Sequence, residues 1–106
     1  MANGLTGTIC AAIQAHLIIR FYYSGDDAPG YRTVEPHMLA YNAKNHLALS
    51  GWFLGGESES QEGQGWREFL ISAMGNIEVT QQQFARPRPG YNPSGGKTFH
   101  NVLCAL

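Results

Sequence analysis

Apolar and polar residues follow one another along the chain in a way that predicts one helix and then several short strands. From about residue 3 to residue 16, apolar side chains recur at helical spacing and form one apolar face. From about residue 17 onward, β-branched and aromatic residues stand in short runs that turn-forming residues separate. The pattern therefore predicts a mainly β domain with one N-terminal helix.

The predicted strands are short and regularly spaced. They are LIIRFYYS, YRTVEPHMLAY, HLALSGWFLGG, WREFLISAM, IEVTQQQF and TFHNVLCAL. Pro36 has no backbone N–H to donate, so it predicts a bulge or an edge position in the second strand. Gly51 predicts a bend in the third strand, and the Gly-Asn pair at 75–76 predicts a turn. The acidic stretch 57–65 predicts a surface loop, and strict alternation in the fourth strand places Trp66 and Glu68 on one face. This spacing favours a small barrel or a strongly curled sheet.

Length and charge limit the possible functions. The 106 residues suit a single domain, 1–106, with 43% hydrophobic and 14% charged residues and a net charge of -1. No overall basic field favours nucleic acid, and no apolar run is long enough to span a membrane. The first residues do not resemble a signal peptide. We therefore expect a cytoplasmic protein in which Cys10 and Cys104 are reduced and Cys10 is a small core residue.

The stretch RPRPGYNPSGGKT, residues 86–98, contains the glycines and the Lys-Thr pair of a phosphate loop but not their spacing. Such a loop needs a glycine five residues before Gly96, where this chain has Tyr91. Two prolines instead predict a stiff, extended surface segment, on which Arg86 and Arg88 either grip an oxyanion or remain solvated.

Catalytic and metal-binding patterns give little support for an enzyme. The four histidines have none of the spacings that are typical of metal sites. Ser24 near Asp26 or Asp27 has no nucleophile elbow around it. We therefore expect no catalytic residue, no metal and no cofactor.

Several motifs, in a fixed order, resemble those of the WYL-domain family. Arg32, Val34 and Pro36 match an Arg-x-Val-x-Pro element, and Trp52-Phe53-Leu54 stands in the place of Trp-Tyr-Leu. Arg67 and Phe69 match a later Arg-x-Phe strand, and the stretch FARPRPGYNP resembles short stand-alone members. The resemblance covers about residues 5 to 91. Two departures are Phe53 in place of the family's Tyr and the loss of a family Arg at 72–74.

The resemblance implies a small Sm-like or SH3-like five-stranded barrel that follows a helix. It also implies a non-enzymatic regulatory module that binds an anionic, nucleotide-like ligand, including cyclic nucleotides. Such a module is either a sensor or a phage-type protein that sequesters a defence signal. No helix-turn-helix segment precedes the first strand, so sequence-specific DNA binding is not expected. The candidate ligand-binding residues are Arg32, Arg67, Tyr23, His37, Trp52, Arg86 and Arg88. The alternative is an interaction or homodimerisation module that acts on a larger transcriptional or defence regulator, because exposed aromatic surface with little charge favours docking.

Overall fold

The computed structural model describes residues 4–26, 28–56 and 63–106. These described residues form one α-helix, six strands and one 3-10 turn. In chain order these are α1 Gly4–Ala15, β1 Leu17–Tyr23, β2 Gly30–Tyr41, β3 Leu47–Gly56, β4 Gly65–Leu70, the turn Ile71–Ala73, β5 Met74–Gln83 and β6 His100–Ala105. The prediction of a mainly β chain with one N-terminal helix is confirmed.

The six strands form one antiparallel sheet. The order is β4-β3-β2-β1-β5, and β6 pairs with β2 beside that path. The long strand β2 uses one of its edges twice: its first half pairs with β1 and its last residues pair with β6. In the described parts of the chain the two end strands, β4 and β5, do not pair with each other. The sheet is not closed, so the five-stranded barrel is not confirmed.

The helix covers the inner face of the sheet. Ile9, Ala12 and Ile13 of α1 are buried in the core. The strands contribute the rest of this core with residues that include Ile19, Phe21, Val34, Leu39, Leu49, Phe53 and Phe69. Because side chains alternate along a strand, the residues between these core positions point to the opposite face, which we call the outer face.

The bulge predicted at Pro36 lies in β2. The β2–β3 register shifts between Pro36 and Met38, so that His37 is the extra residue. Gly51 of β3 lies opposite Pro36, and a Cβ atom there would lie 2.5 Å from the Val34 side chain. A glycine is needed at this position because the two strands approach each other closely, not because the dihedral angles are unusual.

Two local predictions are wrong. The Gly-Asn pair at 75–76 lies inside β5 instead of forming a turn, with Asn76 in the left-handed region at φ 50°. The fourth strand ends at Leu70, and a 3-10 turn replaces the predicted strand residues that follow. Most of the predicted acidic loop, and residue 27 of the predicted turn, lie outside the described residues.

The expectation that both cysteines are reduced is also wrong. Cys10 and Cys104 form a disulfide that joins α1 to β6 across 94 positions of sequence. Packing of the helix against the last strand brings the two together, and nothing in the local sequence around either cysteine predicts this. Disulfides are typical of oxidising compartments. The cytoplasmic location therefore loses part of its support and stays a prediction.

No helix in the described part of the chain has both the length and the apolar character that a membrane crossing requires.

Candidate functional site

The segment between β5 and β6 crosses the outer face of the sheet. We call residues 84–99 the strap. The strap begins where the Phe84 N–H donates to the His16 carbonyl at 2.9 Å. It lies against outer-face side chains of β2, β3 and β4, among them Glu35, Trp52 and Trp66, which the strand register places in one row. The described part of the chain therefore has a helix on one face of the sheet and the strap on part of the other.

His37 fastens the strap to β2. Its Nδ1 lies 2.8 Å from the Glu35 carbonyl, and its Nε2 lies 3.1 Å from the backbone N–H of Arg88. A carbonyl only accepts and an N–H only donates, so Nδ1 carries the proton and the ring is neutral. Burial lowers the pKa of His37 below its ordinary value of 6.5, because the charged ring is disfavoured away from water. The side chain is therefore a structural link with both ring nitrogens occupied.

An ion pair makes the second attachment. Arg88 donates from Nε and Nη2 to the two carboxylate oxygens of Glu35, at 2.8 and 2.9 Å. The Glu35 side chain is 5% exposed, and the Arg88 guanidinium also lies 5.0 Å from the centre of the Trp52 ring. Arg88 does grip an oxyanion, as the sequence suggested, but the oxyanion belongs to the protein itself.

Aromatic rings make the third attachment. The indole N–H of Trp66 donates to the Pro89 carbonyl at 2.8 Å. The Tyr91 hydroxyl lies 3.2 Å from the His37 carbonyl and 3.3 Å from the Leu106 carbonyl, and burial raises the pKa of Tyr91. The rings of Trp66 and Tyr91 are nearly parallel, with centres 6.2 Å apart. These contacts fix the strap without covering the outer side of β4 completely.

A cavity of about 310 Å³ remains between β4 and the strap. This volume lies at the lower end of the range for small-molecule pockets, roughly 300–1,000 Å³. The lining combines aromatic, apolar and polar residues of β4 and the strap with one residue each of β2 and β3. It consists of Met38, Ser50, Trp66, Arg67, Glu68, Gly90, Tyr91, Asn92, Gly95, Thr98 and Phe99. The strap can turn here because Gly90 and Gly95 adopt φ values of 92° and 85°, which side chains other than glycine rarely allow.

Glu68 is held in place at this cavity. Its Oε2 accepts a hydrogen bond from Asn42 Nδ2 at 2.6 Å. Asn42 in turn accepts the backbone N–H groups of Lys44 and His46 on its Oδ1, at 3.0 and 2.9 Å. The orientation of the amide is thereby settled, because only the oxygen can accept both. This bond fixes one oxygen of the Glu68 carboxylate, although the residue is exposed to solvent.

Three predicted ligand residues lie on the inner face instead. Arg32 is 1% exposed, pairs with Asp26 at 3.2 Å and donates to the Ala28 carbonyl. Tyr23 is buried in the core, and its hydroxyl accepts the Leu70 N–H at 3.0 Å. Burial raises the pKa of Tyr23. Arg67 places its guanidinium 5.1 Å from the centre of the Phe53 ring, although the residue also lines the cavity.

The predicted residues thus fall into two groups. Tyr23, Arg32 and Arg67 lie on the inner face, whereas His37, Trp52 and Arg88 lie on the outer face. The sheet separates the two groups, so they do not surround one ligand together. Arg86 is exposed on the strap and makes no ion pair within the described ranges.

Sequence reasoning missed several residues of the cavity. Trp66 and Glu68 were predicted to share a face, and the register with β3 confirms this. Tyr91 and Asn42 carry no local pattern that indicates their role. Tyr91 reaches His37 across 54 positions, and Asn42 reaches Glu68 across 26. Only the three-dimensional fold brings these side chains together.

Within the described residues, no group of three or more His, Cys, Asp or Glu side chains is arranged to hold a metal ion. Comparisons with protein-family models, with curated proteins and with solved structures found no match to this chain.

Proposed function

We propose that the chain is a non-enzymatic binding module that holds the planar ring of a nucleotide-like ligand in the cavity between β4 and the strap. The observation that carries the proposal is the combination of Trp66, Tyr91 and Phe99 with a fixed carboxylate in one cavity. Aromatic side chains bind nucleobases by stacking, which contributes about 1–3 kcal/mol per base. Polar groups beside such rings give the orientation of the ligand.

The anionic part of such a ligand belongs outside the cavity. Arg32 and Arg88 are already neutralised by Asp26 and Glu35, so they attract a phosphate only weakly. Lys97 is exposed in the loop that supplies Gly95 and Thr98 to the lining, and Arg86 is exposed nearer the start of the strap. Both cations lie on the segment that forms one wall. We therefore place the ring inside and the phosphate towards solvent on the strap side.

The WYL-like assignment, the barrel architecture and the role as a sensor or as a sequestering protein in phage defence remain part of this proposal. What supports them is the order of motifs in the sequence. The geometry adds a cavity of suitable size on the face that the strap crosses.

Isothermal titration with mono-, di- and cyclic nucleotides tests the proposal. The informative variant is Trp66→Ala, and its matched control is Trp52→Ala, because both remove an outer-face indole but Trp52 does not line the cavity. We expect Trp66→Ala to weaken binding about 5-fold to 150-fold, the equivalent of one lost stacking partner. Trp52→Ala should change affinity much less. Absence of binding across the whole panel, or equal losses in two folded variants, contradicts the proposal.

A protein-interaction role is the second candidate. In the described part of the chain, β6 pairs with β2 alone, and it exposes Val102 and Leu103 at 39% and 47%. A strand edge with exposed apolar residues is a template for pairing with another chain. Light scattering discriminates between the two candidate functions. A stable dimer that dissociates on Val102→Lys or Leu103→Lys substitution favours the interaction role. A chain that stays monomeric at high concentration opposes it.

A further inference from the structure

The charge within the cavity shows which edge of a ring it accepts. Glu68 supplies a carboxylate there, while the guanidinium of Arg67 lies over Phe53. The register places Phe53 and Trp66 on opposite faces of the sheet. The polar wall of the cavity therefore carries the Glu68 carboxylate. Arg67 also lines the cavity, but its guanidinium is directed towards Phe53, so an acceptor-rich edge or a phosphate is repelled at the carboxylate.

The carboxylate also has a free, oriented oxygen. Asn42 occupies Oε2 of Glu68, and no other hydrogen bond to Glu68 exists within the described residues. Oε1 is left to accept, and Oε2 retains a second lone pair. Ser50 lies directly across the strand pair from Glu68 and lines the same cavity, which adds a hydroxyl that donates or accepts. A ligand edge with two neighbouring N–H donors matches this arrangement best.

From this geometry we infer that the cavity selects rings that present adjacent N–H donors, as guanine does, over rings whose edge presents acceptors. Guanine offers N1–H and the 2-amino group side by side to a carboxylate, and its π-face suits Trp66 and Tyr91. Hypoxanthine has the same ring and lacks the 2-amino group. Uracil that is bonded to ribose through N1 has a single N–H, and two carbonyl groups flank it. The inference rests on the proposed function, because it names the ring class for the same cavity.

Guanosine, inosine and uridine monophosphates, titrated into the wild-type chain, test the inference without any substitution. A hydrogen bond to a charged group contributes about 1.5–3 kcal/mol, so we expect guanosine monophosphate to bind at least about tenfold more tightly than inosine monophosphate. Uridine monophosphate should bind more weakly still. Equal affinity for the two purines overturns the inference and leaves the proposed function intact. No binding of any of the three overturns the inference, and the titrations with di- and cyclic nucleotides then decide the proposed function separately.

Glu68→Gln then identifies the residue responsible. The amide keeps the shape and removes the charge, so the preference for guanosine over inosine should fall to about threefold or less. Glu78→Gln is the matched control, because it makes the same change at an exposed position of β5 outside the cavity lining. Circular dichroism confirms that both variants are folded. A preference that survives Glu68→Gln unchanged also overturns the inference, because the selectivity then comes from another group.

Discussion

The disulfide between Cys10 and Cys104 should contribute a large part of the stability of this chain. It closes a loop across 94 positions, and the chain-entropy model gives about 4.7 kcal/mol for a loop of roughly that length. Domains of this size have a total free energy of unfolding of about 5–15 kcal/mol. Reduction should therefore leave a protein that is marginally stable at room temperature.

Urea unfolding with and without dithiothreitol measures the effect. If the slope is about 2 kcal/mol per molar, a loss of about 4.7 kcal/mol lowers the midpoint by about 2.4 M. Cys10→Ala and Cys104→Ala, singly and together, separate the bond from side-chain packing. Each single variant already breaks the bond, so the double variant should lose about as much as one single variant, and not the sum of both.

Three results would refute this reasoning. A thiol assay on the unfolded, unreduced chain that finds two free thiols shows that the bond does not form. A chain that is fully oxidised but shifts by less than about 0.5 M on reduction shows that the unfolded state is already restricted, so loop closure is not the source of the stability. A double variant that loses as much stability as the two single variants together would also show that loop closure is not the source of the stability.

Two further predictions concern the attachment of the strap to β2. Because the pKa of His37 is lowered in the folded state, the unfolded chain binds more protons below pH 6.5, so urea midpoints should fall as the pH drops from 7.5 to 5. His37→Gln should lose much of this dependence, whereas His46→Gln, at an exposed position, should keep it. Arg88→Met leaves the Glu35 carboxylate buried without its partner and should cost about 2 kcal/mol in urea unfolding, less than the 3–5 of a fully buried pair because Arg88 is partly exposed. Adding Glu35→Gln to Arg88→Met should restore part of the lost stability, because the buried group is then neutral. A double variant that is no more stable than Arg88→Met shows that an unpaired charge on Glu35 is not the cause of the loss.

Local sequence patterns predicted the helix and most strands of this fold, because the spacing of apolar residues within a short segment depends on which of its side chains are buried. The helix, the succession of strands along the chain and the bulge at Pro36 follow from periodicity and from the missing N–H of proline. The order of the strands within the sheet was not predicted. The turn predicted at 75–76 was wrong because pairing with β1 extends the strand through a Gly-Asn pair that favours a turn by itself. The disulfide was missed because it depends on how α1 packs against β6, a contact that no local pattern encodes.

The candidate site also depends on tertiary contacts that local sequence patterns do not encode. Sequence reasoning took arginines and aromatic residues as ligand contacts, because those residue types bind anions and bases. In the folded chain Arg32 pairs with the carboxylate of Asp26, and Arg88 pairs with that of Glu35. His37 is buried, and its ring bonds the strap at the N–H of Arg88. An arginine in the sequence therefore does not show whether its partner is a ligand, a carboxylate of the protein or water, and only the tertiary contacts decide this. Glu68 illustrates the converse, since a residue with no distinguishing motif becomes the oriented charge of the cavity once Asn42 holds it.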